Sequence, residues 1–320
     1  MLSHSRARFT LPTRWKVSAT ALLATVLALP RLAGAGAWLP APGEHYSLIG
    51  GSYFASDGYY DSNGDRLPLN QGGLHEEKAI YSYNEFGWTK GRSFILGFPY
   101  LNVTRRLGAP SDSERTETGL GDLLLGVRFK IKGGAQAMSA EADWAPPLGY
   151  NRNLVPRLGD GASSLIGKFL YGAPLGHAGF VDLMGGYRFY LDKLAPTNQL
   201  LASATVAWWI GKAVLLSGEY NGQFGASSSD TLYRALYVKT PDGRPWTTSE
   251  AAPYTTTDQI NIQTLSPMLL YRIDDHIDVM AGSSHTLSAK NALHIDRVYV
   301  AIALRQTKLG PLQGFMGGRR

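Results

Sequence analysis

A single stretch decides the fold class, namely Thr118-Gly-Leu-Gly-Asp-Leu-Leu-Leu-Gly-Val-Arg-Phe-Lys-Ile131. After its first two glycines an apolar set alternates with a more polar one: Leu123, Leu125, Val127, Phe129 and Ile131, against Asp122, Leu124, Gly126, Arg128 and Lys130. Because successive side chains of a strand point to opposite sides of a sheet, this period of two predicts a β-strand. In a soluble sandwich the charged face would meet water, whereas in a membrane barrel it would line the lumen and the apolar face would meet lipid.

The first 37 residues have the pattern of a secretory signal peptide. A basic region precedes an apolar run over 17–29, which is too short to span a bilayer as a helix. Small residues at Ala33-Gly-Ala35 and Ala35-Gly-Ala37 match a cleavage site, so we expect cleavage near Ala35 or Ala37. A membrane anchor is the alternative interpretation. The predicted division is signal peptide 1–37, barrel 38–306 and C-terminal tail 307–320.

Charge and cysteine content exclude several classes of function. The chain has 31 basic and 25 acidic residues, and five of the basic ones lie in the first 37 residues, which leaves 26 in the mature chain. A balance this close to neutral gives no support for nucleic-acid binding, despite a sequence pI near 9.3. The absence of cysteine excludes disulfides, thiolate metal sites and a lipoprotein anchor.

The lengths of the connections between strands favour a membrane barrel over a sandwich. Twelve segments alternate: 44–56, 75–88, 92–105, 118–131, 135–146, 161–172, 177–190, 199–210, 214–225, 258–271, 276–287 and 292–305. Short and long connections between them alternate, as do the periplasmic turns and external loops of outer-membrane barrels. The sequence therefore predicts an all-β, transmembrane, antiparallel up-and-down β-barrel of about twelve strands in the outer membrane of a Gram-negative cell.

Two hairpin registers and one irregularity can be predicted. A two-residue primed turn at Gly133-Gly134 would place Arg128 opposite Ser139. A three-residue loop over 211–213 would pair Trp208 with Leu216 and Thr205 with Glu219, which keeps Glu219 away from lipid. Pro267 cannot donate to a sheet ladder, so we expect a bulge there.

The motif Gly119-Leu-Gly-Asp-Leu-Leu-Leu-Gly-Val-Arg-Phe-Lys130, preceded by a polar loop, resembles a strand typical of the "MetA-pathway of phenol degradation" family of bacterial outer-membrane proteins. The resemblance extends loosely over the mature chain in strand spacing and in Gly and Tyr usage. It implies a monomeric barrel for passive uptake of aromatic or other hydrophobic solutes. Outer-membrane lipid, the barrel assembly machinery and a small-molecule solute are the expected partners.

A mixed-sign set of side chains is expected to line the lumen: Asp122, Arg128, Lys130, Glu141, Asp143, Asp182, Arg188, Glu219, Asn221, Gln223, Asn261 and Gln263. Such a wall is mutually paired and gives little ion selectivity. The long loop over 226–257 carries Tyr233, Tyr237, Trp246 and Tyr254, and either folds over the mouth to contact an apolar solute or stays external.

Groups that could carry other chemistry are weaker candidates. Asp61, Asn63 and Asp65 begin like a calcium loop, but the later EF-hand positions do not match, and a plain turn is the alternative. His276 lies among Asp274, Asp275 and Asp278 in a turn that could bind metal or simply be solvated.

Ser283, Ser284, His285 and His294 raise the alternative of a lipase-like or protease-like enzyme at the barrel rim. Ser283 and His285 share a strand face but would lie about 7 Å apart at strand pitch, and His294 could pair with His285. A non-conducting structural or adhesive barrel is the remaining alternative. We expect no enzyme activity, cofactor or metal.

Overall fold

The computed structural model describes residues 36–69, 73–106, 114–150, 156–191, 197–226 and 260–306. Within these ranges the chain is all-β. Its strands are β1 His45–Ser56, β2 Gly58–Tyr60, β3 Arg66–Pro68, β4 Leu74–Thr89, β5 Arg92–Arg106, β6 Glu114–Leu120, β7 Leu124–Lys132, β8 Ala137–Ala145, β9 Ser164–Leu175, β10 Gly179–Tyr190, β11 Gln199–Ile210, β12 Val214–Gly225, β13 Asn261–Arg272, β14 Ile277–Lys290, β15 Ala292–Leu293 and β16 Asp296–Gln306. No helix in these ranges is long and apolar enough to cross a membrane.

The large sheet closes on itself. Each barrel strand is antiparallel to its neighbours, and β1 joins the two ends by pairing with both β4 and β16. β6 and β7 both pair with β5 and together form one interrupted barrel strand. Over the described residues this gives a closed antiparallel barrel of twelve strands, as predicted.

The outer face of the barrel is apolar. Paired residues of neighbouring strands lie on the same face of the sheet. Leu183, Ala204 and Tyr220 pair in this way across β10, β11 and β12, and all three lie on the outer face. Many large apolar side chains on this face are exposed, among them Ile49, Phe98, Phe129, Phe169, Leu183, Val206, Leu265 and Ile302. Arg128 and Glu141 lie on the opposite face and are buried. The barrel interpretation of the alternating faces is therefore confirmed.

One bulge interrupts the strand that decides the fold. Leu101 and Gly97 of β5 point into the barrel, and they pair with Gly119 of β6 and Leu124 of β7. Odd-numbered residues therefore point inward in β6, whereas even-numbered residues point inward in β7. Residues 121–123 absorb this change, and Asp122 forms an isolated bridge with Pro147. An extra residue of this kind is what a β-bulge inserts.

The two predicted hairpin registers have different outcomes. The second is confirmed, since Trp208 pairs with Leu216 and Thr205 with Glu219. The first is wrong by two residues, because Arg128 pairs with Glu141 and Lys130 with Ser139. β7 continues to Lys132 through a bulge, and only Gly134 of the two glycines has positive φ, so the tight primed turn does not form. Because the register differs by two residues, each side chain still lies on the face of the sheet that was predicted for it.

Two further boundaries differ from expectation. β9 runs to Leu175 instead of residue 172, with Gly176 in the left-handed region at the turn that follows. Pro267 lies within β13 opposite Gly218, and the register shift of that strand against β14 falls between Gln263 and Thr264. At the end that carries the long loops, β2, β3 and β15 form a small separate sheet.

Candidate functional site: the barrel lumen

One wall of the lumen is charged and fully buried. The guanidinium of Arg128, which has no solvent exposure, donates to Glu141 Oε2 at 2.7 Å and to Glu85 Oε2 at 3.0 Å. It also donates to the hydroxyl of Tyr83 at 3.2 Å. Lys168 donates to Glu141 Oε1 at 2.6 Å and also contacts Asp143. Buried charges are tolerated only when paired in this way.

The facing wall of the lumen carries a large apolar cluster, and Glu219, Ser266 and Arg297 are buried on the same inward face. Inward side chains from β1, β4, β11 to β14 and β16 form one buried cluster: Tyr46, Leu48, Tyr81, Ala207, Leu215, Met268, Leu270, Met280, Tyr299, Ala301 and Ala303. Phe180 and Trp209 pack against it. The guanidinium of Arg272 lies 4.3 Å from the Trp209 ring and bonds Asp278, so the apolar surface ends at a charged rim. A porin interior is polar throughout, and this one is not.

A segment before β1 enters the lumen from the end with short turns. Gly43 N–H donates to Gly87 O and Gly87 N–H to Glu44 O, both at 2.9 Å, which anchors the segment beside β4. Further in, Arg128 donates to Gly36 O at 2.9 Å and Ala37 N–H donates to Asp182 Oδ1 at 3.3 Å. Residues 36–44, here called the inner segment, therefore occupy the space between the two walls.

The connection over residues 146–163 enters the opposite, long-loop end of the barrel with its described parts, which are residues 146–150 and 156–163. Leu158 is buried against Ala79, Leu101 and Val103, which all point inward. Asp122 holds this loop by accepting from Tyr150 Oη at 2.6 Å and from Asp160 N–H at 2.8 Å. Burial raises the pKa of Tyr150, and its bond to Asp122 raises the pKa further, so the hydroxyl stays a donor.

A cleft lies beside this loop. Its volume is about 510 Å³, and it is lined by Glu117, Thr118, Gly119 and Leu120 of β6 and by Leu148, Gly149, Tyr150 and Leu158 of the loop. β6 pairs only with β5 among the described strands, so its other edge faces the loop instead of a strand. Leu120 lies on the outer face and Leu158 is buried inside the barrel, so residues of both faces of the wall line the cleft.

A sequence profile of the family described as "MetA-pathway of phenol degradation" matches residues 51–240, which is more than half of the chain. The chain belongs to this family. No curated protein sequence matches it as a relative.

Solved structures with a similar fold are outer-membrane barrels. The COG4313 outer membrane channel from Pseudomonas putida F1 superposes with a TM-score of 0.65 at 14% identity, covering 84% of this chain and 97% of that one. The translocator domain of autotransporter NalP from Neisseria meningitidis gives a TM-score of 0.45 at 10% identity, covering 83% and 89%. The NanC porin gives 0.45 at 9%, covering 82% and 100%. At these identities the likeness concerns the fold.

Ten of the twelve residues that were predicted to line the lumen point into the barrel of this protein: Asp122, Arg128, Lys130, Glu141, Asp143, Asp182, Arg188, Glu219, Asn221 and Gln223. Asp122 and Arg188 belong to the network around the loop, since Arg188 donates to Asp160 Oδ2 at 3.2 Å. Lys130 shares the inward face but is exposed near the turn at Gly91.

The prediction for Asn261 and Gln263 is wrong. Gln263 pairs with Gly222 and Asn261 with Phe224, both on the outer face of β12. Gln263 accepts from Tyr220 Oη at 2.9 Å, and Asn261 Oδ1 accepts from Gly225 N–H at 2.9 Å. These amides therefore lie on the outside near the end of the barrel, where outward polar groups reach the interface.

The remaining candidates have other surroundings or fall outside the described residues. Tyr233, Tyr237, Trp246 and Tyr254 of the loop 226–257 lie outside them, as does the tail 307–320. The carboxylate of Asp61 accepts from the backbone N–H groups of Asn63 and Asp65 within an Asx turn. These hydrogen bonds, chiefly the one from Asp65, lower the pKa of Asp61. Asp278 contacts both Arg272 and Arg305 inside the barrel, whereas His276 is exposed at the turn.

The predicted geometry around His285 is also wrong. His285 Nε2 lies 2.9 Å from Ser283 Oγ, well within hydrogen-bond distance. Its Nδ1 lies 3.1 Å from Asp296 Oδ1, and His294 contacts Asp296 instead of His285. The estimate from strand pitch fails because the two side chains lean toward each other along β14.

Several important lumen residues were missed by sequence reasoning. Glu85, Tyr83 and Lys168 complete the charged wall, and the inner segment fills the space beside it. The alternation within β4 and β9 could have assigned the first three to the inward face. Nothing in residues 36–44 alone indicates that they enter the barrel, because their hydrogen-bond partners include residues of β4, β7 and β10, which are distant in sequence.

Proposed function

We propose that this chain is an outer-membrane channel for small hydrophobic solutes, aromatic ones in particular, and that the solutes move passively. The observation that carries the proposal is the buried apolar cluster inside a membrane barrel, around Tyr81, Leu215 and Met280. A channel for water-soluble solutes would need a polar interior. An apolar interior stabilises a solute that leaves lipid by burying its surface.

The cleft between β6 and the loop 146–163 supplies the route. It opens on the outer face near Leu120 and leads to Leu158 inside the barrel. A hydrophobic solute could therefore pass sideways from the lipid-facing surface to the lumen without crossing the polar external loops. The family description, with its reference to phenol degradation, supports the aromatic class.

The buried lumen gives some support to a second function, that of a non-conducting structural barrel. Arg128 and Leu215 have no solvent exposure, and the inner segment lies between the walls. A resting lumen of this kind passes little water. The channel proposal therefore requires the inner segment or the loop 146–163 to move when a solute passes.

The proposal places the mature protein in the outer membrane of a Gram-negative cell, after signal cleavage and insertion by the barrel assembly machinery. It acts as a monomer whose partners are lipid and the solute. The lumen has a transport role, and no catalytic role is proposed for it.

Uptake of a radiolabelled monoaromatic solute by cells with intact lipopolysaccharide tests the route. Thr118 lines the cleft and is exposed, so Thr118→Trp should fill the cleft and lower uptake several-fold. Thr116 lies one repeat further out on the same face of β6, bonded to Thr104, and Thr116→Trp is the matched control.

Each outcome of this experiment is informative. Equal uptake by wild-type cells and by cells without the protein would reject the channel. Uptake that depends on the protein but is equally affected by both tryptophans would reject the cleft as the route. Surface abundance and heat-modifiable migration of each variant on gels verify that the barrel has formed.

A further inference from the structure

Three side chains on the outer face of the barrel form a connected chain of hydrogen bonds. Ser283 Oγ lies 2.9 Å from His285 Nε2, and His285 Nδ1 lies 3.1 Å from Asp296 Oδ1. Ser283 and His285 belong to β14, and Asp296 begins β16, where it pairs directly with His285. A hydroxyl, an imidazole and a carboxylate in this order are the nucleophile, base and orienting group of acyl-transfer sites.

The backbone around this group, here called the outer triad, is held firmly. Thr286 and Ile295 exchange bonds through both backbone and side chain, with Thr286 Oγ1 donating to Ile295 O at 3.0 Å and accepting from Ile295 N–H at 2.9 Å. His294 N–H donates to Gly58 O at 3.0 Å, which ties the turn to the small external sheet. Asp296 is thereby placed in a defined position opposite His285.

The outer triad lies where the apolar belt of the barrel ends. Ser283 pairs with the exposed Val298, and His285 pairs with the exposed Leu265 on β13. Further from the membrane centre, the exposed carboxylate of Asp296 and the imidazole of His294 mark the polar side. Acyl chains can contact Val298 and Leu265 while an ester group rests at the level of Ser283.

We propose that Ser283 is an activated serine that accepts acyl groups from ester-linked lipids at the outer-leaflet boundary, with His285 as its base and Asp296 as a positioning residue. This activity goes beyond the channel, because the outer triad lies on the lipid-facing side of the wall and the lumen lies on the other. Ser284, the next residue, points inward and bonds Ser266 Oγ at 3.0 Å.

The reaction proceeds in two balanced steps. Ser283 Oγ attacks the ester carbonyl carbon while its proton passes to His285 Nε2, and collapse of the tetrahedral intermediate expels the lipid alcohol, which takes that proton. Water, deprotonated by His285, then attacks the acyl-serine and releases a fatty acid. Because the N–H groups of β14 belong to the sheet ladders, interfacial water must solvate the oxyanion, so we expect slow turnover and a readily trapped serine.

An alkyl fluorophosphonate probe tests the proposal on the full mature protein in detergent micelles. Mass spectrometry of the labelled protein should locate the adduct on Ser283. His285→Ala should lower the labelling rate by about a hundred-fold. Ser284→Ala is the matched control and should label like the wild type.

Further variants separate a positioning role from a structural one. Labelling should depend on pH, because only a neutral imidazole can accept the proton of the serine hydroxyl. The titratable groups that face His285 are Asp296 and, beyond it, His294, whereas β13 presents Leu265. Asp296→Asn should lower the rate and alter this pH profile, and Asp296→Glu should restore part of both.

The proposal fails if Ser283 is unlabelled while the barrel is folded, or if His285→Ala labels at the wild-type rate. It also fails if Ser284→Ala removes the label. Solute uptake should be the same in Ser283→Ala as in the wild type, so failure of this proposal and failure of the channel can be told apart.

Discussion

At the scale of single residues, Arg128 decides how the charged wall is built. It bonds two carboxylates and the carbonyl of Gly36, and Glu141 is shared with Lys168. Sequence alternation placed Arg128 on the inward face correctly. It could not identify Glu85 as a partner, because β5 lies between β4 and β7, and the two side chains meet only over that strand on the inner face of the barrel.

Replacing Arg128 by Met should therefore destabilise the barrel strongly. The change leaves Glu85 and Glu141 buried without their main cation, and removing one partner of a buried pair costs about 3–5 kcal/mol. Urea unfolding in detergent micelles measures the difference. Arg106→Ala is the control, because Arg106 and Glu114 are both about half exposed and such a pair contributes about 0–1 kcal/mol. Equal losses in the two variants would contradict the role given to Arg128.

At the scale of elements, two segments that are not strands enter the barrel. The inner segment enters from the short-turn end and the loop 146–163 from the other. The connection between the predicted strands 135–146 and 161–172 is long, but the sequence predicted a role in the mouth only for the loop 226–257, of which residues 227–257 lie outside the described ranges. Loop length alone does not decide which loop enters, because entering requires complementary partners such as Asp122 and Arg188.

The contacts of the inner segment predict the signal cleavage site. Gly36 O and Ala37 N–H both bond lumen side chains, so cleavage after Ala35 would keep these contacts and cleavage after Ala37 would remove them. We therefore expect the mature chain to begin at Gly36. The intact mass of the protein purified from outer membranes measures this, and a mass that corresponds to a start at Trp38 would contradict it.

Removal of the inner segment should open the lumen. A variant that lacks residues 36–41 loses the bonds to Arg128 and Asp182 but keeps Gly43 and Glu44 beside Gly87. Its single-channel conductance in planar bilayers should exceed that of the wild type several-fold. Leu39→Ala leaves the segment in place and serves as the control. Unchanged conductance in the deletion would mean that other groups close the pore.

The loop 146–163 should loosen when its central hydroxyl is removed. Tyr150→Phe removes one bond to Asp122 and leaves the N–H of Gly161 without its acceptor, at a local cost of about 1–3 kcal/mol. Trypsin should then cut after Arg157 faster on intact cells. Tyr59→Phe in the small external sheet is the control. Equal cutting in Tyr150→Phe and wild type would show that this hydroxyl does not hold the loop.

At the scale of the whole molecule, the barrel has apolar side chains on its outside and charged side chains inside, the reverse of a water-soluble protein. Exposed apolar side chains such as Leu183 and Val206 surround an interior that holds Arg128, Glu141 and Asp143. This arrangement is stable only where lipid covers the outer face, since an apolar surface of that extent in water would aggregate.

The outward face should therefore resist charge in a depth-dependent way. Leu183 lies near the middle of β10, and Leu183→Arg should cost about 2–4 kcal/mol of folding free energy in lipid. Leu191 follows the end of the same strand and is equally apolar and exposed, but Leu191→Arg near the interface should cost only about 0–1 kcal/mol. Urea-dependent folding into vesicles gives both values. Similar costs would place these two residues at the same depth.

The sequence by itself determined the strand class, the antiparallel order, the alternation of short and long connections, and the inward face of Arg128, Glu141 and Glu219. Each of these follows from local periodicity or from connection length, which a single chain segment carries. The sequence misplaced Asn261 and Gln263 because polar residues near strand ends are tolerated on either face, so their type does not report their direction.

Only the tertiary structure decided how Arg128 meets Glu85, how residues 36–44 reach Asp182, and how Ser283, His285 and Asp296 come together. In each case the partners belong to strands that are far apart in sequence or joined by irregular turns. Barrel closure, bulges and side-chain lean set those distances, and none of the three leaves a periodic pattern in the chain.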